Sequence, residues 1–361
     1  KMKNIKPYKL VSQKCWTLPT NNVTKLDWNE GDYRLPEVIK KELIDFIENK
    51  PLNWYPNLID ESIYSKLLIH EDNIVNRDMI QYYPGSDSIH RTVVNALLKE
   101  GNTVLIITPS YDNFRYLCEV NSVKVKYFNL EDDGLIDFNE LNDAISDDIN
   151  LIYFVNPNNP TGIAYPINEI NALVKKNSGK YFLIDEAYSD FWGQSMVKVI
   201  NDHTNIIITK TMSKSFGLAG FRFGYCLSSK DIINQLNAHR NPKDINTLSL
   251  IAVNSMLDNI NIVTDYISNV NKEKEIFINY INSVNWVSSR FNSETNFLLL
   301  KVESEELKMK LIDYLQTNNI YVRNFDNVFN SRNYLRITIG NSKSMKLITM
   351  HFKKFNELLQ N

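Results

Sequence analysis

The stretch Thr211-Met-Ser-Lys-Ser-Phe-Gly-Leu-Ala-Gly-Phe-Arg222 directly follows the apolar run Asn-Ile-Ile-Ile-Thr at 205–209. The apolar run predicts a buried strand, so Lys214 is expected just beyond the carboxyl end of that strand. Two serines flank this lysine, and two glycines and Arg222 follow it. These groups suit an amine that forms a Schiff base with an aldehyde cofactor bearing a phosphate. The alternative is a surface lysine in a Ser/Gly loop, and the rest of the chain decides between them.

Length and charge set the broad class of protein. The chain has 361 residues, which favours two domains or one large α/β domain with a smaller companion. Hydrophobic residues make up 43% and charged residues 23%, as in ordinary globular proteins. The formal net charge is −2 and no long basic run is present, so nucleic acid is disfavoured as the main partner.

Cysteine and histidine usage points to a reducing compartment and to no metal site. Cys15, Cys118 and Cys226 are far apart and form no Cys-x-x-Cys pair, which fits a cytoplasmic protein. The five histidines are scattered, without a ligand-like spacing. The basic N-terminal stretch lacks the apolar segment of a signal peptide, and no apolar run is long enough to span a membrane.

From about residue 87 to 240, apolar runs alternate with segments of helical periodicity. Strands are expected at 103–108, 123–128, 151–156, 181–185, 205–209 and 221–227, with helices at 88–98, 138–145 and 167–176. Strands that alternate with helices predict an α/β fold with a mostly parallel central sheet covered by helices on both faces.

The pattern changes from about residue 260 onwards. Helices are expected at 272–284, 305–317 and 342–359, and strands at 296–302, 320–325 and 334–340. This order predicts a smaller α+β domain that the N-terminal arm joins. We therefore expect a large domain at 30–260 and a small domain formed by 1–29 and 261–361.

Ligands of open α/β sheets bind beyond the carboxyl ends of the strands, and several polar segments are expected there. The segment Tyr83-Pro-Gly-Ser-Asp-Ser-Ile89 opens a helix, so its backbone N–H groups and the Ser86 and Ser88 hydroxyls form a possible anion site. An ordinary helix-capping turn is the alternative. Thr211 and Ser213 could complete the same site with Arg222, because arginine binds phosphate through two parallel hydrogen bonds.

Two further segments supply an amide and a carboxylate. In Asn156-Pro-Asn-Asn-Pro-Thr-Gly162, prolines hold an amide that could donate to a phenolate oxygen, although such a composition also forms plain turns. Asp185 ends the run at 181–185, where a buried acid is costly unless it has a partner such as a pyridinium nitrogen. Tyr188 could reach the same ring; a helix-capping role for Asp185 remains open.

These segments, in this order, resemble the histidinol-phosphate aminotransferase-like group of fold-type I enzymes that depend on pyridoxal 5′-phosphate (PLP). The resemblance covers most of the chain, and its most specific part is Ser-Lys-x-Phe-Gly-Leu-Ala-Gly-x-Arg at 213–222. It implies PLP as the cofactor and the fold type I architecture. It also implies a lysine that is bound to the cofactor and that shuttles a proton during transamination.

The resemblance assigns a role to each matching residue. Lys214 corresponds to the Schiff-base lysine, Asp185 to the partner of the ring nitrogen, and Asn159 and Tyr188 to the partners of the 3′-oxygen. Tyr111 corresponds to the aromatic residue that stacks on the ring; a core tyrosine is the alternative. The residues that correspond to the phosphate shell are Ser86 and Asp87 (through their backbone), Thr211, Ser213 and Arg222.

Other matching residues concern the neighbouring subunit and the substrate. Tyr55 corresponds to the tyrosine that reaches the cofactor phosphate of a second subunit, which implies a homodimer with shared active sites. Arg336 corresponds to the arginine that grips the anionic end of the substrate, and Arg323 is a second candidate. For both arginines, a solvated position on a strand is the alternative.

The implied reaction is a ping-pong transfer of an amino group between L-glutamate and a small phosphorylated ketone. Family members carry an Asn-Pro-Tyr-Gly run near the N-terminus, whereas this chain has Leu26-Asp-Trp-Asn-Glu-Gly-Asp-Tyr-Arg-Leu-Pro36. Asn29 and Glu30 are retained, with Asn29 as a candidate substrate-binding residue, but the Pro-Tyr-Gly part is not. The stretch at 241–246 is also unusual. Both departures concern acceptor specificity, so dihydroxyacetone phosphate and imidazole-acetol phosphate remain alternatives.

Four other functions compete with this hypothesis. A phospho-amino-acid decarboxylase, acting on O-phospho-threonine or O-phospho-serine, would use the same cofactor residues, and so would a histidinol-phosphate aminotransferase proper. A PLP-binding regulator needs a DNA-binding module, and only about 25 residues precede the first matching segment, too few for a helix-turn-helix. A dinucleotide-dependent oxidoreductase is disfavoured because no Gly-x-Gly-x-x-Gly follows a strand.

Overall fold

The computed structural model describes residues 14–360. Residues 1–13, which belong to the expected small domain, lie outside the described part. The strands, in chain order, are β1 (Thr24–Leu26), β2 (Ile80–Tyr83), β3 (Thr103–Thr108), β4 (Lys124–Asn129), β5 (Ile149–Val155), β6 (Tyr181–Asp185), β7 (Ile206–Thr211), β8 (Gly224–Ser228), β9 (Val287–Ser289), β10 (Phe297–Val302), β11 (Ile320–Asn324) and β12 (Tyr334–Thr338).

Helices surround these strands. In chain order they are α1 (Glu37–Asn49), α2 (Glu61–His70), α3 (Ser86–Leu97), α4 (Asn113–Val120), α5 (Phe138–Ala144), α6 (Ile167–Lys176), α7 (Ser189–Trp192), α8 (Lys230–His239), α9 (Thr247–Asp258), α10 (Ile260–Ile281), α11 (Glu305–Thr317) and α12 (Ser342–Gln360). No helix within residues 14–360 is long and apolar enough to cross a membrane.

The larger sheet has seven strands in the order β2-β8-β7-β6-β5-β3-β4. Strands β3 to β7 pair in parallel, and β8 lies antiparallel between β7 and β2. Because β2 is antiparallel to β8, it runs in the same direction as β7. The carboxyl ends of β2, β5, β6 and β7 therefore meet at one edge of the sheet.

The smaller sheet has five strands in the order β1-β11-β12-β10-β9. Strand β1 pairs in parallel with β11, so the N-terminal arm and the C-terminal third of the chain share this sheet. The other pairs are antiparallel. This arrangement supports the predicted α+β unit; the exact domain boundaries at 29/30 and 260/261 stay a prediction.

Hydrophobic packing explains why the central strands are apolar along their whole length. One buried cluster covers one face of the large sheet, with Ile152, Phe182 and Ile208 among its members. A second cluster covers the other face, with Leu151, Leu183 and Ile207. Successive side chains of a strand point to opposite faces, so both faces of a covered sheet need apolar residues. This confirms the predicted α/β architecture.

Two elements differ from their predicted bounds by three residues or more. The helix expected at 272–284 is α10, which begins at Ile260 because Val263, Tyr266 and Val270 bury one of its faces despite many polar residues between them. The strand expected at 221–227 begins only at Gly224. Arg222 has a φ of +53°, in the left-handed region, so the chain turns there before it enters the sheet.

Candidate active site

The strand ends place the predicted site segments side by side. In the sheet, Val155 pairs with Asp185, and Asp185 pairs with Thr209. On the other side of β7, Thr211 pairs with Gly224 of β8, which in turn pairs with Tyr83 of β2. The anion-binding turn, the amide turn, the acid and the lysine segment thus start from neighbouring strands at one edge.

Lys214 lies three residues beyond β7 and points towards the N-terminal arm. Its Nζ donates to the Trp28 carbonyl oxygen at 2.8 Å and lies 5.9 Å from the centre of the Tyr188 ring. Burial and the positive charge of Arg336 lower the pKa of Lys214 to about 8. An amine with this pKa is available as a nucleophile near neutral pH, which is unusual for a lysine.

Asp185 is buried, with 3% of its surface exposed, yet it is not isolated. Its Oδ2 accepts a hydrogen bond from the Tyr153 hydroxyl at 2.9 Å, and its Oδ1 accepts one from the Ala187 N–H at 3.1 Å. His90 Nε2 lies 3.6 Å from Oδ2 and 3.2 Å from the Thr209 hydroxyl. These contacts fix the carboxylate at the strand end.

Tyr153 and His90 were not predicted as site residues. Tyr153 sits inside an apolar strand, where the sequence alone suggests a core residue. His90 follows Ser86 by four residues on α3, so helical periodicity places the two side chains on the same face. That spacing was the available signal for His90.

Arg336 bridges the two sheets. Its Nη1 donates to Asn159 Oδ1 at 2.6 Å, and its Nη2 donates to the Asp27 carbonyl oxygen at 2.8 Å. Only 7% of its surface is exposed, so the solvated-strand alternative does not hold for this arginine. Arg323 pairs directly with Arg336 across β11 and β12, and paired residues of antiparallel strands share one face of the sheet. Arg323 is partly exposed.

The predicted anion site forms at the start of α3. Gly85 precedes the helix with a φ of +86°, and a Cβ atom added there would lie 2.7 Å from Arg222 Nη2. Arg222 Nη1 lies 3.4 Å from the Ser213 hydroxyl, to which Thr211 Oγ1 also donates at 2.9 Å. Backbone N–H groups of a first helical turn, two hydroxyls and a guanidinium together suit a phosphate.

The Asp87 side chain is not suited to bind a phosphate. Its Oδ1 accepts hydrogen bonds from Asn113 Nδ2 at 2.8 Å and from the Tyr111 hydroxyl at 3.3 Å, and its Oδ2 lies 3.8 Å from Arg222 Nη2. A carboxylate would repel a phosphate, so only the backbone N–H of Asp87 suits the predicted contact. The same contacts bring Tyr111 to this end of the site.

Asn29 lies inside the site wall. Only 1% of the residue's surface is exposed. Its Nδ2 donates to the Tyr188 hydroxyl at 2.9 Å, and its Oδ1 accepts from the Thr338 hydroxyl at 3.1 Å. Both ends of the amide are thus in use within the protein. Thr338 was not predicted, although it follows Arg336 by two residues and therefore shares its face of β12.

Tyr33 also contacts the lysine loop, although the sequence did not predict it as a site residue. It packs so closely on the lysine loop that a Cβ atom at Gly217 would lie 2.6 Å from its ring. Its hydroxyl lies 3.3 Å from the Ser215 carbonyl oxygen, to which it donates. The segment that differs from the family pattern thus still places a tyrosine against the loop that carries Lys214.

Tyr55 lies apart from the residues described above. Its surface is 75% exposed, and its ring contacts Lys243 Nζ at 4.5 Å from the ring centre. Lys243 belongs to the unusual stretch at 241–246, so both segments lie on one surface. Within one subunit, Tyr55 is not part of the site.

The fold and the site together define an enzyme of fold type I that uses PLP: a mostly parallel sheet with a lysine of lowered pKa, a buried carboxylate and a candidate anion site at the carboxyl ends of its strands. The chain belongs to the aminotransferase class I and II family, whose model matches residues 22–350. It is therefore an enzyme of the transaminase class.

Individual relatives agree with this assignment. A dihydroxyacetone phosphate transaminase of Campylobacter jejuni is 33% identical over 98% of this chain and 96% of its own length. A histidinol-phosphate aminotransferase of Pyrococcus furiosus is 29% identical over 98% of this chain and 96% of its own.

Solved structures share the fold. A histidinol-phosphate aminotransferase of Clostridium acetobutylicum covers 93% of this chain and 100% of its own with a TM-score of 0.83 and 25% identity. One from Sinorhizobium meliloti, in complex with PLP, covers 99% of both chains with a TM-score of 0.86 and 18% identity. An L-threonine-O-3-phosphate decarboxylase of Porphyromonas gingivalis covers 93% and 100%, with a TM-score of 0.78 and 22% identity.

The chemistry of the donor set fits PLP. The site offers an amine of lowered pKa, a buried carboxylate and an anion cradle at the start of α3, and PLP carries an aldehyde, a ring nitrogen and a phosphate to match. Gly85 keeps that cradle open, since any larger residue there would displace Arg222. The predicted cofactor is confirmed at the level of the family.

The lowered pKa of Lys214 leads to a test on the protein without cofactor. We expect an amine-directed acylating reagent to label Lys214 with a half-maximal rate near pH 8, because burial and Arg336 disfavour its protonated form. Replacing Arg336 with glutamine should move this midpoint upwards. Peptide mass spectrometry across a pH series measures it. Arg332→Gln, at an exposed arginine, is the control; a midpoint unchanged by loss of Arg336 would contradict the prediction.

Proposed function

We propose that this enzyme transfers an amino group from L-glutamate to a small phosphorylated ketone, with dihydroxyacetone phosphate as the preferred acceptor. The observation that carries the proposal is the position of Arg336, buried beside both Lys214 and Asn159 and paired with Arg323 on the same face of the small sheet. A guanidinium group beside the reactive amine, with a second on the same face of the small sheet, suits substrates with an anionic group at one end. The Campylobacter jejuni relative supports the choice of acceptor.

The N-terminal arm supports a compact acceptor. The Trp28 carbonyl accepts the Lys214 hydrogen bond, and Lys25 Nζ lies 4.3 Å from the centre of the Trp28 ring. Lys25 also forms ion pairs with Asp27 and Glu30, so a network of charges fixes the conformation of the arm next to the reactive amine. A bulky group on the acceptor would have to fit beside this arm, whose Trp28 carbonyl oxygen contacts the reactive amine.

Each site residue has a role in the proposed reaction. When bound, PLP supplies a ring that accepts the electron pair left on the substrate Cα. Asp185 favours a proton on the ring nitrogen, because a buried carboxylate stabilises a neighbouring positive charge. Lys214 carries the proton to and from the substrate carbon as general base and acid. Arg336 orients the substrate carboxylate, and Asn159, whose oxygen accepts from Arg336, can donate its N–H to the ring oxygen.

The phosphate shell holds the cofactor at its other end. The backbone N–H groups of Ser86 and Asp87, the Thr211 and Ser213 hydroxyls and Arg222 are proposed to bind its phosphate. Tyr111 is proposed to stack on its ring, which agrees with the contact between Tyr111 and Asp87. Tight binding at the phosphate keeps the cofactor in place while Lys214 is detached from it.

A substrate screen tests this function. With glutamate as donor, we expect turnover of dihydroxyacetone phosphate to exceed that of imidazole-acetol phosphate, measured by mass spectrometry of both products. The purified enzyme should be yellow, and its visible band should change when glutamate is added. Release of carbon dioxide from O-phospho-threonine would instead identify a decarboxylase. Turnover of neither ketone would overturn the proposed function.

We further propose a cytoplasmic homodimer in which Tyr55 of one subunit completes the site of the other. Support comes from a group of exposed apolar side chains on α1 and the loop after it: Ile44, Ile47, Leu52, Trp54, Tyr55 and Ile59. Exposed apolar side chains that concentrate in one segment favour association, and a two-fold dimer is the commonest arrangement. The three cysteines are free and buried, which suits a reducing compartment.

Sedimentation velocity tests the dimer. We expect wild-type protein to sediment as a dimer and Trp54→Glu to shift it towards monomer, because the substitution buries a charge in the apolar contact. Leu358→Glu is a matched control, since Leu358 is similarly exposed but lies on α12 at the far end of the chain. Monomeric wild-type protein, or equal effects of both substitutions, would contradict the proposal.

A further inference from the structure

A chain of hydrogen bonds connects the small sheet to Tyr188. The Thr338 hydroxyl on β12 donates to Asn29 Oδ1 at 3.1 Å, and Asn29 Nδ2 donates to the Tyr188 hydroxyl at 2.9 Å. All three residues are buried. The three residues come from the N-terminal arm, the large-sheet region and the small sheet, 159 and 309 positions apart along the chain.

The hydrogen bonds of this chain run in one direction. The Asn29 backbone N–H donates to Thr338 Oγ1 at 3.0 Å, and the hydroxyl hydrogen of Thr338 goes to Asn29 Oδ1. The NH2 end of the amide faces Tyr188. The Tyr188 oxygen therefore accepts from Asn29, and its hydroxyl hydrogen is directed to another acceptor.

The surroundings hold both side chains in place. Asn29 has a φ of +58°, and Asn296 Nδ2 donates to its carbonyl oxygen at 3.1 Å. The edge of the Tyr188 ring packs against Phe297, with ring centres 5.1 Å apart and planes at 83°. Asn296 and Phe297 are consecutive, so one segment of the small sheet fixes the amide and the phenol together.

We propose that Asn29 and Thr338 are positioning residues that make Tyr188 a hydrogen-bond donor to the ring oxygen of the cofactor. The inference rests on the proposed function, in which Tyr188 contacts that oxygen. It replaces the predicted role of Asn29 as a substrate-binding residue, because both ends of its amide are used within the protein. It also makes the electronic state of the cofactor depend on how the small sheet packs on the arm.

The physical consequence is a shift in proton affinity next to Lys214. A hydrogen bond donated to the ring oxygen stabilises negative charge on that oxygen. Because this charge is already stabilised, a proton on the nearby Lys214 nitrogen stabilises it less. The Lys214 nitrogen therefore loses its proton at lower pH. The pH at which the visible band of the bound cofactor changes therefore reports whether Tyr188 donates.

The experiment is a pH titration of the visible band of the holoenzyme in four variants. Tyr188→Phe removes the donor and sets the reference. Asn29→Gly removes the amide without strain, because glycine adopts positive φ readily. Thr338→Val keeps the shape but removes the hydroxyl, and Thr338→Ser restores it. Thermal unfolding of each variant, and borohydride labelling of Lys214, check that the fold and the cofactor remain.

We expect Tyr188→Phe and Asn29→Gly each to raise the midpoint by about one pH unit, the effect of losing one hydrogen bond to a charged group. Thr338→Val should raise it in the same direction, and Thr338→Ser should return it to the wild-type value. An unchanged midpoint in either Asn29→Gly or Thr338→Val would overturn the inference. So would a lower midpoint in Asn29→Gly, which would mean that Tyr188 donates to Asn29 in the wild type.

The outcomes separate this inference from the function on which it rests. If wild-type protein saturated with the cofactor shows no visible band and no label at Lys214, the proposed site fails. If the band and label are present and Tyr188→Phe moves the midpoint, but Asn29→Gly or Thr338→Val does not, only the positioning role fails.

Discussion

Replacing Lys214 with alanine is expected to remove covalent cofactor binding and to lower kcat by roughly 10⁴-fold or more, the upper range for a general acid–base group that is also a nucleophile. The structure gives the reason: Lys214 is the amine of lowered pKa at the carboxyl ends of the strands, within reach of Tyr188 and Arg336. Borohydride reduction followed by peptide mapping should label the tryptic peptide that contains Lys214 in wild-type protein, and no peptide in Lys214→Ala.

Lys175→Ala is the matched control for this experiment. Lys175 is exposed on α6, where its Nζ lies 3.5 Å from Asp202, so its loss should change neither the label nor the rate. A visible band and wild-type activity in Lys214→Ala would show that another lysine binds the cofactor. The purified Lys214→Ala variant should also be colourless while its thermal unfolding stays near that of wild-type protein without cofactor.

Asp185→Asn is expected to lower kcat by about 10³-fold while Lys214 remains labelled by borohydride. Asparagine has the shape of aspartate and can still accept from the Ala187 N–H, so the strand end should fold normally. It carries no negative charge, however, and cannot favour a proton on the ring nitrogen. Single-turnover kinetics with glutamate measure the loss in the proton-transfer step.

The neighbouring Glu186 provides the control. It points to the opposite face of the sheet, where it accepts from the Ser195 hydroxyl at 2.5 Å and from the Met196 N–H at 2.6 Å. Burial raises the pKa of Glu186 to about 7, so its neutral form is already accessible and glutamine is a mild replacement. Equal losses of rate in Asp185→Asn and Glu186→Gln would indicate general damage to this strand end and would contradict the assigned role of Asp185.

Local sequence was sufficient to predict much of the large sheet. The runs at 103–108 and 181–185 form strands with the predicted bounds. The segment at 167–176 forms a helix with the predicted bounds. In a globular chain, short uninterrupted apolar runs predict buried strands that are covered on both faces. The helix α10 was predicted too short, since three buried residues among many polar ones give a weak periodic signal.

The site was less predictable from sequence than the fold. Lys214, Asp185 and Asn159 lie at or just after the ends of predicted strands. The position of each strand therefore predicts where these residues lie. Tyr153, His90 and Tyr33 contact these segments, but nothing in their neighbourhood separates them from ordinary core or loop residues. Tyr55 was assigned to a second subunit; its exposed position in a single subunit is compatible with that prediction, which the sedimentation experiment addresses.

The sequence by itself determined the α/β architecture and the class of cofactor. Both are encoded in contiguous residues: the strand patterns and the segment around Lys214. Tertiary structure alone decided which polar groups meet: Arg336 with Asn159, 177 positions apart, and Thr338 with Asn29, 309 positions apart. The physical reason is that a hydrogen bond requires two groups to approach within about 3 Å. For residues so distant in the chain, the packing of the small sheet and the N-terminal arm against the large sheet sets that distance.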